Sequence, residues 1–129
     1  MEDGDNEPTR SVEEEHALLN GKWRLISAEA NGQSEKPVVS VIELVSGQGK
    51  IDNGPGFAPL DTTYTIDPSQ RPRSIDVSIK QFKTTNKGIY RLKGDRLTMV
   101  FQGDHKGERP TSFRTKDGEV LNTYERVKP

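Results

Sequence analysis

The chain predicts an all-β fold, an antiparallel up-and-down barrel of eight or nine short strands preceded by one short N-terminal helix. From Gly21 onward apolar residues recur with period two, in short runs separated by glycine-, proline- and aspartate-rich turns at nearly regular spacing. Closing such a sheet on itself removes the open edges that invite aggregation. Gly21-Lys22-Trp23 opens the first strand and Arg126 stands in the last. A planar guanidinium that stacks on an indole and donates to nearby carbonyls can close one end of a barrel.

Residues 1–10 are acidic and polar with Pro8, too poor in apolar surface to offset the entropy of ordering. They read as a flexible acidic tail, and residues 11–129 as a single domain. Ser11 with Glu14 three residues later has capping-box spacing and predicts a helix over residues 12–19. Val12, Leu18 and Leu19 form its expected buried stripe, while Glu13, Glu14, Glu15 and His16 mostly face water. Trp23 and Leu25 share one face of the first strand, which Asn31-Gly32 ends. Residues 38–45 are the run richest in β-branched residues, and a short strand near residues 50–52 follows Gly47 and Gly49.

Residues 53–59 hold two glycines and two prolines and read as a loop. In residues 61–66 Tyr64 and Ile66 share a face. A proline-bounded turn at residues 67–72 leads into Ile75, Val77 and Ile79, which alternate with polar residues as a half-buried strand does. Residues 87–102 form a hairpin about Gly94-Asp95. A turn at residues 104–108 leads to a strand around residues 111–114, and Asp117-Gly118 turns the chain into the last strand, residues 119–127.

Composition narrows the function classes. The apolar share is 29%, below the usual 45–50% even with 12 glycines added, so the strands are short or some inward positions are polar. Nineteen basic and twenty acidic side chains leave a net charge of -1, without the positive field that nucleic-acid binding exploits and with little overall pull toward anionic membranes. With no cysteine there is neither a disulfide framework nor thiolate chemistry. No apolar run is long enough to span a bilayer, and the N-terminus lacks the basic and apolar regions of a signal peptide. The chain as given therefore reads as a soluble, cytoplasmic monomer, with an exported location open if a leader once preceded it.

Leu19-Asn20-Gly21-Lys22-Trp23 with Asn31-Gly32, Asp67-Pro68 with Pro72 and Ile75-Asp76, and Gly88-Ile89-Tyr90-Arg91-Leu92 with Gly94-Asp95 and Leu97 occur in an ordered series. Arg109-Pro110-Thr111-Ser112-Phe113 and Tyr124-Glu125-Arg126 complete it. In order and spacing these segments, over about residues 17–129, resemble a family of small lipocalin-like β-barrel domains of unknown function from planctomycete bacteria. The resemblance implies an antiparallel barrel of calycin type and transfers no activity. One departure is Met99-Val100-Phe101, where members often carry a cysteine.

Among candidate sites, Trp23 with Arg126 reads as a structural plug rather than a ligand-facing pair. Arg109, and with it Arg114, could bind an anionic ligand at an open mouth, or could bond to loop carbonyls or to a carboxylate such as Asp76. Tyr64, Tyr90 and Tyr124 could converge inside the barrel and orient a small ligand, or could fill it, since eight strands enclose just enough room for either. His16 and His105 are too few for a metal site. Neither Gly47-Gln48-Gly49 nor Gly54-Pro55-Gly56 has the context of a phosphate-binding loop, and no serine sits in a nucleophile elbow. No cofactor is implied. The expected function is a non-enzymatic binding domain, for a small apolar or anionic molecule in the barrel or at its mouth. The alternative is a protein-interaction module with a side-chain-filled barrel, contacting partners through residues 47–60 and the acidic tail.

Overall fold

The structure, a computed structural model, describes residues 9–37, 39–103 and 108–128, so the expectations for residues 1–8 and for the turn at 104–107 lie outside the described residues. One helix, α1 (Val12–Leu19), precedes nine strands: β1 (Gly21–Ala30), β2 (Gln33–Glu35), β3 (Val41–Val45), β4 (Gln48–Asp52), β5 (Leu60–Asp67), β6 (Arg73–Ile79), β7 (Thr84–Lys93), β8 (Arg96–Gln102) and β9 (Glu119–Arg126). β1 pairs with β3, each strand from β3 to β9 pairs with the next, and β9 returns to β1, all antiparallel. Eight strands thus close an up-and-down barrel, and β2 is an extra strand folded back on the far end of β1 by the Asn31-Gly32 turn.

The helix forms where its cap predicts. The Ser11 hydroxyl accepts from the Glu14 amide at 3.1 Å, and the Glu14 carboxylate accepts from the Ser11 amide at 2.8 Å, satisfying two groups that a helix start leaves open. Its buried stripe differs from expectation. Leu19 and Glu15 are fully buried, whereas Val12 and Leu18 are exposed. Residues 9 and 10, the end of the expected tail, are tied down: the Thr9 hydroxyl accepts from Arg71 at 2.8 Å, and Arg10 reaches Glu15 at 3.0 Å.

The helix ends against one mouth of the barrel, where its last carbonyls need donors. Trp23, with no exposed surface, donates its indole N–H to the Leu19 carbonyl at 2.9 Å. Arg126, paired in register with Trp23, lies 4.3 Å over the indole and donates to the carbonyls of Asn20 at 3.0 Å and Leu18 at 2.7 Å. Its Nε also meets Asp95 in the β7–β8 turn at 3.2 Å. Gly21 links helix to strand with φ +132°, and a Cβ there would stand 3.2 Å from the Arg126 guanidinium. Trp23 and Arg126 are therefore the closing plug.

Two strand assignments change. Residues 111–114 form bends rather than a strand, because β8, β9 and β1 pair with one another and leave no edge for another strand. The described segment 108–118 instead runs along the outside of the barrel, with Pro110 buried and the Arg91 guanidinium 4.4 Å over the Phe113 ring. It explains why Ile89 and Val100, on outward positions of β7 and β8, are almost fully buried. The third strand begins at Val41 rather than at residue 38, and its alternation places Ile42 and Leu44 in the core.

Gly88, on an inward position of β7, is required by its partner strand. A Cβ there would stand 2.6 Å from both the Phe101 ring and the Val100 carbonyl, inside any allowed contact. Gly88→Ala is expected to cost about 1–3 kcal/mol through this overlap, measured by urea unfolding. Adding Phe101→Leu should recover part of the loss if the ring is the obstacle.

Candidate functional site

Strand alternation divides the interior into two halves of different chemistry. Inward positions toward α1 carry Leu44, Arg73, Tyr90, Leu92 and Leu97, and those toward the other end carry Val77, Ile79, Asn86, Phe101 and Asn122. The first half is filled. Glu15 enters from the helix, accepts a short hydrogen bond from the Tyr90 hydroxyl, and lies 3.0 Å from Arg10 and 3.6 Å from Arg73. Glu15 and Arg73 are both almost completely removed from solvent. Such a pair is tolerated because each charge faces the other and a hydroxyl fills a remaining acceptor position. Beside it His16 Nδ1 meets the Tyr64 hydroxyl at 3.2 Å, with the rings edge to face at 5.3 Å.

The second half is hollow. A cavity of about 190 Å³ lies between β3–β9, walled by Ile42, Leu44, Ile51, Ile75, Val77, Ile79, Met99 and Phe101. Its polar groups are few: Thr62, Asn86, Asn122 and the ring-bearing Tyr64 and Tyr124, with Lys50 also reaching its lining. Tyr124 and Asn122 are hydrogen-bonded to each other and also line a wider hollow of about 370 Å³ at the open end, bounded by Leu25, Lys36, Pro37, Ser40, Asn53 and Leu60. Ile51, Asn122 and Tyr124 are common to both spaces, so the cavity opens toward the barrel mouth away from α1.

The structure separates the residues singled out from sequence. Tyr64 and Tyr124 share the cavity wall, whereas Tyr90 lies in the filled half with its hydroxyl engaged by Glu15. Arg109 is on the outer face of β6 and β7, where it pairs with Asp76 at 2.8 Å and donates to the carbonyls of Gly88 at 2.9 Å and Ile75 at 3.3 Å. It shares a surface hollow with Asp67, Arg71 and Pro110, and no space with the tyrosines. Arg114 is exposed on the same outer segment. Glu15, Arg73, Asn86, Asn122 and Met99 were not singled out from sequence. Arg73 could have been, because it continues inward by two the alternation of Ile75, Val77 and Ile79.

Among the described residues no three histidine, aspartate or glutamate side chains stand close enough to hold a metal ion, and no helix is long and apolar enough to cross a membrane. No protein-family model, curated protein or solved structure matches the chain.

Burial keeps the interior phenols protonated. Tyr124 is pushed up to about 12 by desolvation, against the opposing effect of its Asn122 hydrogen bond. Tyr90 is raised further by desolvation and by the Glu15 carboxylate that accepts its proton's hydrogen bond, and Tyr64 is raised by desolvation, partly offset by a backbone hydrogen bond at Gly47. In the unfolded chain all three titrate near 10. Above that pH the unfolded state has released protons that the folded state keeps, so stability is full below pH 10 and falls as pH rises. Urea unfolding should show a decline between about pH 10 and pH 12, approaching roughly 1.4 kcal/mol per pH unit for each buried tyrosine. Tyr90→Phe and Tyr124→Phe should each remove one such increment from the slope.

Proposed function

We propose that the protein is a non-enzymatic binding domain of lipocalin-like kind that holds one small, mainly apolar molecule in the open half of its barrel. The observation that carries this reading is the 190 Å³ cavity, apolar over most of its wall and continuous with the mouth. Pockets that bind small molecules combine such a wall with a few placed polar groups. Here Asn86, Asn122 and Tyr124 supply donors and acceptors on one side, while Val77, Met99 and Phe101 supply contact area. An apolar cavity of around 150 Å³ holds a benzene-sized guest. The chemical class is therefore a single-ring or short-chain molecule with one hydrogen-bonding group. The anionic version loses its arginines, since Arg109 is committed to Asp76 and Arg114 lies on the outer segment.

The side-chain-filled alternative fits only the half of the barrel beneath α1. In that half Glu15, Arg73 and Tyr90 satisfy one another and leave no group directed at a guest.

Native mass spectrometry of gently purified protein should show a mass increment that disappears on denaturation. Single-ring probes such as indole and p-cresol should raise the melting temperature, since a ligand at 100 times its Kd stabilises by about 2.7 kcal/mol. Val77→Phe, which places a ring in the cavity, should abolish the probe-induced shift while leaving a cooperative melt. A wild-type protein that carries no increment and is stabilised by no probe contradicts the reading.

A further inference from the structure

Three consecutive loops at the open end differ from the rest of the surface. They are residues 36–40, 53–59 and 80–83, which join β2 to β3, β4 to β5 and β6 to β7. Each carries one large apolar residue standing in solvent: Val39 is 71% exposed, Phe57 66% and Phe82 57%. Comparable exposure of a large apolar side chain occurs elsewhere among the described residues only at Val45, which stands alone on the β3–β4 hairpin at the opposite end.

The loops are joined to one another. Val39 packs over Gly54, where a Cβ would lie 3.6 Å from its Cγ1, and the Phe57 amide closes a turn on the Gly54 carbonyl at 3.3 Å. The Asp61 amide donates to the Gln81 side chain at 3.1 Å, and the Lys80 amide donates to the Asp61 carbonyl at 2.9 Å. The three apolar tips therefore belong to one rim, the rim that borders the mouth of the cavity at Lys36, Pro37 and Asn53.

The charge of this rim is one-sided. The three loops contain Lys36, Lys80 and Lys83 and no acidic residue, in a chain whose net charge is -1. Apolar tips ringed by lysines match the chemistry of an anionic bilayer surface, in which aromatic and aliphatic groups enter the headgroup boundary and lysines meet the lipid charge. A second copy of the chain would bring the same lysines face to face. We propose that the open rim docks on anionic lipid surfaces through Val39, Phe57 and Phe82, with Lys36, Lys80 and Lys83 supplying the electrostatic attraction. Balanced charge over the whole chain conceals this segregation. Docking in this orientation turns the barrel mouth toward the membrane, but it needs no occupant in the cavity.

The test is co-sedimentation with vesicles of phosphatidylcholine alone and with 30% phosphatidylserine added. The protein should bind the anionic vesicles, bind phosphatidylcholine weakly or not at all, and lose affinity as salt is raised. Phe57→Ser with Phe82→Ser should weaken binding at least about 10-fold, and Lys36→Glu with Lys80→Glu should do the same, while Val45→Ser should leave it unchanged. All three variants change exposed residues, so circular dichroism should show the wild-type fold. Absence of binding to anionic vesicles overturns the proposal. So does binding that the rim variants retain, or a concentration-dependent dimer, abolished by Phe57→Ser with Phe82→Ser, in protein that ignores vesicles.

Discussion

Helix α1 ends with carbonyls that have no partners within the helix, and the barrel supplies them. Arg126 donates to Leu18 and Asn20, and Trp23 donates to Leu19. This set of bonds ties the first element of the domain to the first and last strands, at the place where β1 and β9 close the cylinder. The stacked guanidinium and indole join those two strands from inside the same contact. Without the helix at this mouth, Trp23 would face water and the Arg73 charge would lose Glu15.

Seating the helix also creates the difference between the two halves of the interior. Below, Glu15 and His16 descend from α1 onto Tyr90, Arg73 and Tyr64 and occupy the space with mutually satisfied polar groups. Above, no element enters, and the side chains that point inward are too small or too far apart to meet, so a cavity stays open between Val77, Met99 and Phe101. The polar residues placed inside the barrel account for the low apolar share of the chain. Thr62, Arg73, Asn86 and Asn122 all take inward or cavity-lining positions that aliphatic residues would fill in a solid core.

Much of the barrel was legible because local signals and global closure agree. The Ser11–Glu14 box starts the helix, Asn31-Gly32, Gly94-Asp95 and Asp117-Gly118 turn the chain, and Ile75, Val77 and Ile79 alternate as their strand requires. Where closure overrides local pattern, the reading failed. Thr111 to Arg114 has strand-like residues but no edge left to pair with, and β2 (Gln33–Glu35) has no apolar alternation yet pairs with β1 because the preceding turn returns it there. Glu15 lies in a run of three glutamates, and only contact with Tyr90, 75 residues away, distinguishes it from its neighbours. Of the site, Tyr64 and Tyr124 were visible as strand tyrosines. The cavity itself depends on what eight strands together leave unfilled, and the commitment of Arg109 to Asp76 depends on how the outer segment crosses β6 and β7.

The claim on which the functional account rests is that the interior is sealed and filled on the helix side and hollow on the other. Xenon enters preformed apolar cavities without needing a specific polar partner, so a crystal structure under xenon pressure tests this directly. The account predicts xenon density between Val77, Met99 and Phe101 and none beside Glu15, Arg73 and Tyr90. A barrel without xenon, its side chains closed over that space, would contradict it.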